Sequence, residues 1–246
     1  MEFVDLHIHL QDYTEDCATN IVKKAQKSGL KKMVCAATSL DDWEQVAGFA
    51  QKYPALIVPA FGIHPWQVNG ASVDWFEQLK QYLNNFPLCL IGETGLDGLK
   101  PDFELQQQFF SMHLELAREY NRPIIIHSVK AVGAMSVFWR LMPSKFMIHS
   151  FNGKAEHLHD IFLHGGYVCF RASILKNRDM EKIVKAVPLN KILLESDGPY
   201  QALNKGELSS PFFIPEILQR FASILHTDIE ELSQQIYQNS QEFIND

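Results

Sequence analysis

The sequence predicts an α/β protein of the TIM-type (β/α)8 barrel class, forming a single domain over residues 1–246. Short apolar segments of strand length alternate with amphipathic segments of helix length about eight times. The strand-length segments are almost continuously apolar, as expected for parallel strands that are buried on both faces. Eight such units in 246 residues match the usual size of this barrel.

The strands are predicted from apolar runs that end at a turn residue or at a polar side chain. In chain order they cover residues 3–9, 32–37, 56–63, 88–93, 123–127, 146–149, 167–170 and 192–195. Because a helix-length segment follows each of the first seven runs, consecutive strands are expected to be parallel.

The helices are predicted from apolar residues that recur at helical spacing between the strands. They cover residues 17–28, 41–52, 73–83, 103–120, 131–141, 154–164 and 180–186. Turn residues such as Gly29 and Pro54 mark their ends. The tail, from about residue 211 to residue 246, is predicted to add closing helices.

A doubly wound open sheet is the alternative architecture for the same alternation. That fold would show a GxGxxG turn after its first strand if it bound a dinucleotide, and this chain has none there. The barrel is therefore favoured. No linker, repeat or low-complexity segment divides the chain.

The composition indicates an ordinary globular enzyme, with 46% hydrophobic and 21% charged residues. The net charge of −7 argues against broad binding to long duplex nucleic acid, which needs a basic face. We find neither a membrane-spanning run nor a signal peptide, and the four scattered cysteines are typical of buried, reduced thiols. We expect a cytoplasmic protein with no obligate protein partner.

Metal-capable side chains stand at the ends of several predicted strands. They are His7, His9, Glu93, His127, His149 and Asp197, with His64 at a further strand end. Active sites of this barrel are assembled at the carboxyl ends of its strands, so these residues are expected to converge. The pair His157 and His159 lies in a predicted helix, where a spacing of two points the rings apart, and it is expected at the surface.

Six motifs in fixed order carry a resemblance to a known family. They are Asp5-Leu-His-Ile-His9, Gly62-Ile-His-Pro65, Ile91-Gly-Glu-Thr-Gly-Leu-Asp97, Pro123-Ile-Ile-Ile-His127, His149-Ser-Phe-Asn-Gly153 and Leu194-Glu-Ser-Asp-Gly-Pro-Tyr200. Together they resemble the signature of the TatD-type metal-dependent hydrolases of the amidohydrolase superfamily. The resemblance extends from residue 3 to about residue 200.

The resemblance implies a two-metal hydrolase, commonly a deoxyribonuclease of the phosphodiesterase or exonuclease kind. By motif position, His7 and His9 would bind one metal ion, and His127 and His149 would bind the second. Glu93 would bridge the two ions. Two bound cations can activate a shared water and neutralise charge on a phosphoryl oxygen.

Asp197 would complete the metal site and accept the proton of the attacking water, so Asp197 and Glu93 are the expected catalytic residues. His64 is expected to contact the substrate or its phosphate rather than a metal. Asp5 is expected either to orient a histidine ring by a hydrogen bond or to have a structural role.

The mixture of imidazole and carboxylate ligands favours Zn²⁺ first, with Mg²⁺ or Mn²⁺ second, because Mg²⁺ prefers oxygen ligands. The family is often described as magnesium-dependent.

The chain departs from the family where substrate would bind. Many relatives continue the motif at His127 as His-Ser-Arg, but this chain has His127-Ser-Val-Lys130, so Lys130 is the replacement cation. After Tyr200 the usual basic segment is reduced to Lys205, and the segment after Asp97 is short. A weakly basic frame fits short or single-stranded DNA ends, or a small phosphoester, better than duplex DNA.

Two other functions stay open. The same metal-bound hydroxide could attack a carboxylic ester or an amide, for example in deacylation of aminoacyl-tRNA. A non-catalytic metal-binding protein is the other. Trp66 follows Pro65, and Phe151 lies close to His149. Each of the two rings is expected either to stack a base at the rim or to pack the loops.

Overall fold

The computed structural model describes residues 1–172, 179–202, 204 and 206–245. Eight parallel strands form one sheet in strict chain order. They are β1 (Phe3–Ile8), β2 (Leu30–Ala36), β3 (Ile57–Phe61), β4 (Leu90–Asp97), β5 (Ile124–Val129), β6 (Phe146–Ile148), β7 (Tyr167–Phe170) and β8 (Ile192–Leu194). The predicted barrel class is confirmed.

The barrel closes between its first and last strands through backbone hydrogen bonds. Asp197 N donates to His7 O at 2.9 Å, and His9 N donates to Gly198 O at 2.8 Å. Both bonds lie just beyond the carboxyl end of β8, so ring closure fixes the chain segment that carries Asp197.

The helices surround this sheet. They are α1 (Glu15–Ser28), α2 (Leu40–Lys52), α3 (Trp75–Asn85), α4 (Phe103–Glu119), α5 (Glu156–Leu163), α6 (Asp179–Ala186), α7 (Ile214–Leu225) and α8 (Ile229–Ile244). The helix predicted over residues 131–141 is instead a 3-10 helix, Val132–Leu141. Val132, Gly133 and Val137 have low α-helical propensity, which accounts for the tighter turn.

Local sequence sets several of the helix boundaries. Ser39 and Asp42 form a reciprocal capping box at the start of α2. The side chain of Asp228 accepts hydrogen bonds from two backbone N–H groups at the start of α8. Gly29 ends α1 with a φ of 85°, in the left-handed region where glycine has no Cβ penalty.

The apolar core has two parts. The larger part packs the helices against the outside of the sheet. The smaller part draws residues from all eight strands, including Leu6 and Ile125, and therefore fills the barrel interior. Phe243 of α8 belongs to this inner cluster, so the final helix closes the amino-terminal end of the barrel. The buried residues His9, His149 and Asp197 follow strands at the opposite, carboxyl end.

Within the described residues, we find no helix with the length and apolar character needed to cross a membrane.

Candidate metal centre

The predicted metal ligands converge at the carboxyl end of the barrel, where all six are buried. His7 lies in β1 and His9 directly follows that strand. His127 lies in β5, and His149 directly follows β6. Asp197 is the third residue after β8. Residues that are far apart in the chain therefore meet at one rim.

Glu93 differs from the prediction in its place along its strand. The sequence predicts that it ends a strand over residues 88–93, whereas β4 continues to Asp97. The pairing of β4 with β5 is irregular between Ile91 and Thr94. Glu93 lies in this irregular stretch, and its carboxylate enters the site from the middle of the strand.

The two oxygens of Glu93 face two different pairs of histidines. Oε2 lies 3.1 Å from His7 Nε2 and 3.5 Å from His9 Nε2. Oε1 lies 2.9 Å from His127 Nδ1 and 3.2 Å from His149 Nε2. This is the arrangement needed for one carboxylate to bridge two metal ions.

The spacing of these atoms fits divalent metal ions. Ligand atoms bound about 2.0–2.2 Å from one ion lie roughly 2.9–3.5 Å from each other. The contacts of Glu93 fall in this range, and His7 Nε2 lies 3.0 Å from His9 Nε2. Asp197 joins these two histidines in a group whose ligand atoms all lie within 4.8 Å of one another. The donor set therefore suits a cation in each half of the site.

Neighbouring groups orient two of the histidine rings. His9 Nδ1 lies 2.9 Å from Ala36 O, and because a carbonyl only accepts, this nitrogen carries the proton. The lone pair of His9 Nε2 then points into the site. His149 Nδ1 lies 3.2 Å from Glu195 Oε1, on the side of the ring opposite Glu93. A carboxylate or carbonyl behind the ring is the usual support of a metal-binding histidine.

Charge in the site is balanced between the carboxylates and the imidazoles. Burial disfavours the ionised form of Glu93, but the field of His149, His64 and His7 outweighs it and lowers the pKa of Glu93 well below its usual value. Burial opposes protonation of His149, yet Glu93 and Glu195 raise its pKa well above the usual value. A bound metal ion would replace the proton on His149 and release it.

His64 lies close to the ligand group but presents a proton donor. The backbone N–H of Trp66 donates to His64 Nδ1 at 3.2 Å, so the neutral ring carries its proton on Nε2. Burial lowers the pKa of His64, which favours this neutral form. Nε2 lies 3.4 Å from Glu93 Oε1. His64, Glu93 and His127 have metal-capable spacing, but the tautomer favours hydrogen-bond donation.

Asp97 links His127 to an exposed tryptophan. Its Oδ2 lies 3.5 Å from His127 Nε2 and accepts a 2.7 Å hydrogen bond from Trp66 Nε1. The proximity of His127 is the main reason that the pKa of Asp97 is held well below its usual range. Lys100 Nζ lies 4.0 Å from the centre of the Trp66 ring. The indole is thus held at the rim while 56% of the residue is exposed.

A pocket of about 520 Å³ opens onto these groups. Its described wall includes His64, Trp66, Glu93, Arg171, Asp197 and Tyr200. Arg171 is the first residue after β7, and its Nη1 lies 3.4 Å from Asp197 Oδ2. A polar, partly open pocket over the ligand group can admit a substrate.

The other residues predicted near the substrate differ in their surroundings. Lys130 is exposed and is not among the described residues that line the pocket. Lys205 lies outside the described residues. Phe151 is buried against Phe170, so it packs the loops and offers no open face. Trp66, by contrast, is exposed within the pocket wall.

Asp5 has a structural contact rather than a contact with a histidine ring. Its carboxylate accepts hydrogen bonds from Ser196 N at 2.9 Å, Ser196 Oγ at 2.6 Å and His7 N at 3.2 Å. The register of β1 against β2 shifts between Asp5 and Ile8, which interrupts the simple alternation of faces. Asp5 therefore ties β1 to the segment before Asp197.

Sequence reasoning missed three charged residues of the site. Asp97 ends β4, Glu195 directly follows β8, and Arg171 directly follows β7. The same rule that selected the ligands, a polar residue at the carboxyl end of a strand, would have found them. The pair His157 and His159 lies on α5, outside the described pocket wall.

Comparison with known proteins gives consistent results. The model of the family described as "TatD related DNase" matches residues 4–245. Deoxyribonuclease TATDN3 of Homo sapiens is 25% identical over an alignment of 254 positions, gaps included, which covers 96% of this chain and 92% of that protein. The 3'-5' ssDNA/RNA exonuclease TatD of Dickeya dadantii is 26% identical and covers 89% of each chain.

The fold has close counterparts among solved structures. The crystal structure of YJJV, a TatD homologue of Escherichia coli, superimposes with a TM-score of 0.91 at 25% identity. The match covers 98% of this chain and 97% of that one.

Proposed function

The chain belongs to the TatD-related DNase family of metal-dependent hydrolases, and on that premise we propose that it is a two-metal phosphodiesterase that cleaves DNA. One observation carries the proposal. Glu93 faces His7 and His9 with one oxygen, and His127 and His149 with the other. A buried carboxylate between two histidine pairs is suited to hold two cations side by side.

In this proposal each pair of histidines belongs to one of the two metal ions. His7 and His9 would hold one ion, His127 and His149 would hold the second, and Glu93 would offer one carboxylate oxygen to each. When bound, two divalent ions lower the pKa of a water and neutralise charge on the phosphoryl oxygens. We propose Zn²⁺ as the first choice, since imidazoles dominate the donor set, and Mg²⁺ or Mn²⁺ as the second.

The remaining side chains position the substrate and move the proton. Asp197 accepts the proton of the attacking water, because its Oδ1 faces the site at 3.9 Å from His9 Nε2. His64 donates its Nε2–H to an oxygen of the substrate. Glu195 and Asp97 keep the rings of His149 and His127 in place.

The substrate that fits these features is a short or single-stranded DNA end. The net charge of −7 disfavours extended contact with duplex DNA. The exposed indole of Trp66 offers a surface on which a terminal base can stack. A small phosphoester would also fit the pocket. Lys130, outside the pocket wall, would contact only a longer strand.

The test is cleavage of an end-labelled single-stranded oligodeoxynucleotide by metal-stripped protein, before and after addition of Zn²⁺, Mn²⁺ or Mg²⁺. Asp197→Asn is the matched inactive variant, because the change keeps the shape of the side chain and removes its charge. The expected result is a metal-dependent ladder that the variant does not produce. The labelled end then gives the direction of cleavage.

Two outcomes would contradict the proposal. Equal cleavage by Asp197→Asn would refute the assigned role of this residue. No cleavage by wild-type protein with two equivalents of metal bound would refute the nuclease assignment, and would direct the search to a small phosphoester, a carboxylic ester or an amide.

A further inference from the structure

Arg171 occupies a distinctive place at the rim of the barrel. It directly follows β7, its side chain is 18% exposed, and it lines the pocket. Nη1 lies 3.4 Å from Asp197 Oδ2, while Asp197 Oδ1 lies 3.9 Å from His9 Nε2. The guanidinium therefore stands on the outer side of a carboxylate whose other oxygen faces the ligand group.

The charge of the pocket makes this position important. Three carboxylates line its described wall, those of Asp12, Glu93 and Asp197. Within the same described wall, Arg171 is the single arginine or lysine. An anionic substrate that reaches the ligand group would therefore meet the positive charge of Arg171 in this wall.

The chemistry of arginine suits contact with an anion. A guanidinium is planar, stays charged, and directs its N–H donors in a fork that matches the oxygens of a phosphate. One arginine can contact a carboxylate and a phosphoryl oxygen together, because its donors point in several directions. A phosphoryl group attacked by water beside Asp197 would come within reach of the same guanidinium, because Nη1 lies 3.4 Å from Asp197 Oδ2.

We propose that Arg171 is a substrate-binding residue that recognises the phosphoryl group through a non-bridging oxygen. This assignment rests on the proposed phosphodiesterase function and adds a residue that determines the preference for anionic substrates. It also supplies, from the position directly after β7, the positive charge that Lys130 does not bring to the described pocket wall.

A purely positioning role would have different consequences. If Arg171 only held Asp197 in place, its loss would lower kcat or weaken metal binding and leave phosphate affinity unchanged. If it binds the phosphoryl group, its loss weakens phosphate binding and raises KM, while the metal content stays the same.

The experiment compares wild-type protein with Arg171→Gln, Arg171→Lys and the matched control Arg220→Gln. Arg220 lies on α7, where it forms an exposed ion pair with Glu181 outside the described pocket wall. Each metal-loaded protein is titrated calorimetrically with inorganic phosphate, assayed with bis(p-nitrophenyl) phosphate, and analysed for bound metal.

Arg171→Gln is expected to weaken phosphate binding and raise KM on the order of 10- to 100-fold, as for a lost hydrogen bond between charged groups. Arg171→Lys should recover part of this loss, and Arg220→Gln should match wild type. Unchanged phosphate affinity, a fall in kcat alone, loss of metal, or no phosphate binding by wild-type protein would overturn the assignment.

The two proposals fail separately. If wild-type protein does not hydrolyse the diester, the phosphodiesterase function fails, and the phosphate titration still decides the role of Arg171. If wild-type protein hydrolyses the diester and Arg171→Gln has the same KM and phosphate affinity, only the assignment of Arg171 fails.

Discussion

Replacing Glu93 by Gln should remove both metal ions at once, although it changes a single side chain. The carboxylate contacts five histidines within 3.5 Å, and each of its oxygens serves a different pair of predicted ligands. Glutamine keeps the shape but loses the charge, and its NH₂ group points a donor at one pair. Neither pair then keeps the bridging anion.

The size of the expected change in Tm follows from the coupling of metal binding to folding. Metal at 100 times its Kd stabilises the folded state by about 2.7 kcal/mol per site, or roughly 5 kcal/mol for two sites. In a domain of this size, 1 kcal/mol corresponds to about 2–4 °C in Tm, so metal should raise the Tm of wild-type protein by roughly 10–20 °C. Glu93→Gln should show less than about a quarter of this rise.

The assay is thermal unfolding of metal-stripped protein with and without added Zn²⁺ or Mn²⁺, together with metal analysis after dialysis. Glu77→Gln is the matched control, because Glu77 lies 69% exposed on α3 and pairs with Lys80. It should respond to metal as wild type does. Two metal ions and a full rise in Tm in Glu93→Gln would refute the bridging role.

Three further changes test the surroundings of the site. Trp66→Ala should raise KM for an oligonucleotide through loss of about 1–3 kcal/mol of base stacking. It should leave the affinity for inorganic phosphate unchanged, because phosphate has no ring that can stack. Equal KM values of wild type and Trp66→Ala with the oligonucleotide would exclude stacking. Glu195→Gln should weaken metal affinity about 10- to 100-fold through loss of the carboxylate behind His149, measured by competition with a chelating dye; unchanged affinity would contradict this role. Burial lowers the pKa of His113 from 6.5 to about 4, and its Nε2 accepts the N–H of Ile63 at 3.0 Å. Because the pKa of His113 is lower in the folded than in the unfolded protein, the neutral ring contributes to the free energy of unfolding. This contribution is fully present above pH 6.5 and is lost as the pH falls toward 4. In urea unfolding, the free energy of unfolding of wild type should fall by about 3 kcal/mol more than that of His113→Gln over this pH range. Equal falls in the two proteins would argue against the contribution of His113.

Much of the fold could be predicted because its strands and helices follow from patterns among residues that are close in sequence. Apolar runs and helical spacing are properties of neighbouring residues, and eight alternations leave few ways to bury every strand on both faces. The boundaries were less predictable. β4 extends past Glu93 because its pairing with β5 resumes at Thr94 and continues to Asp97 after an irregular stretch, which no local pattern marks.

The candidate ligands were also predictable, since a polar residue at the end of a buried strand is costly unless it has a partner. The same reasoning extends to Asp97 and Glu195, which were found only in the structure. Their partners lie on other strands, His127 for one and His149 for the other. A single strand does not reveal which ring its carboxylate will support.

The sequence by itself determined the barrel and the set of groups that could bind metal, because both depend on residue type and spacing along the chain. Only the tertiary structure decided which oxygen of Glu93 faces which histidine pair, that Asp5 contacts Ser196 rather than a ring, and that Arg171 reaches the described pocket wall. These outcomes depend on strand register around the closed ring. Register is set by packing between residues distant in sequence, and one shift changes the direction of every side chain that follows.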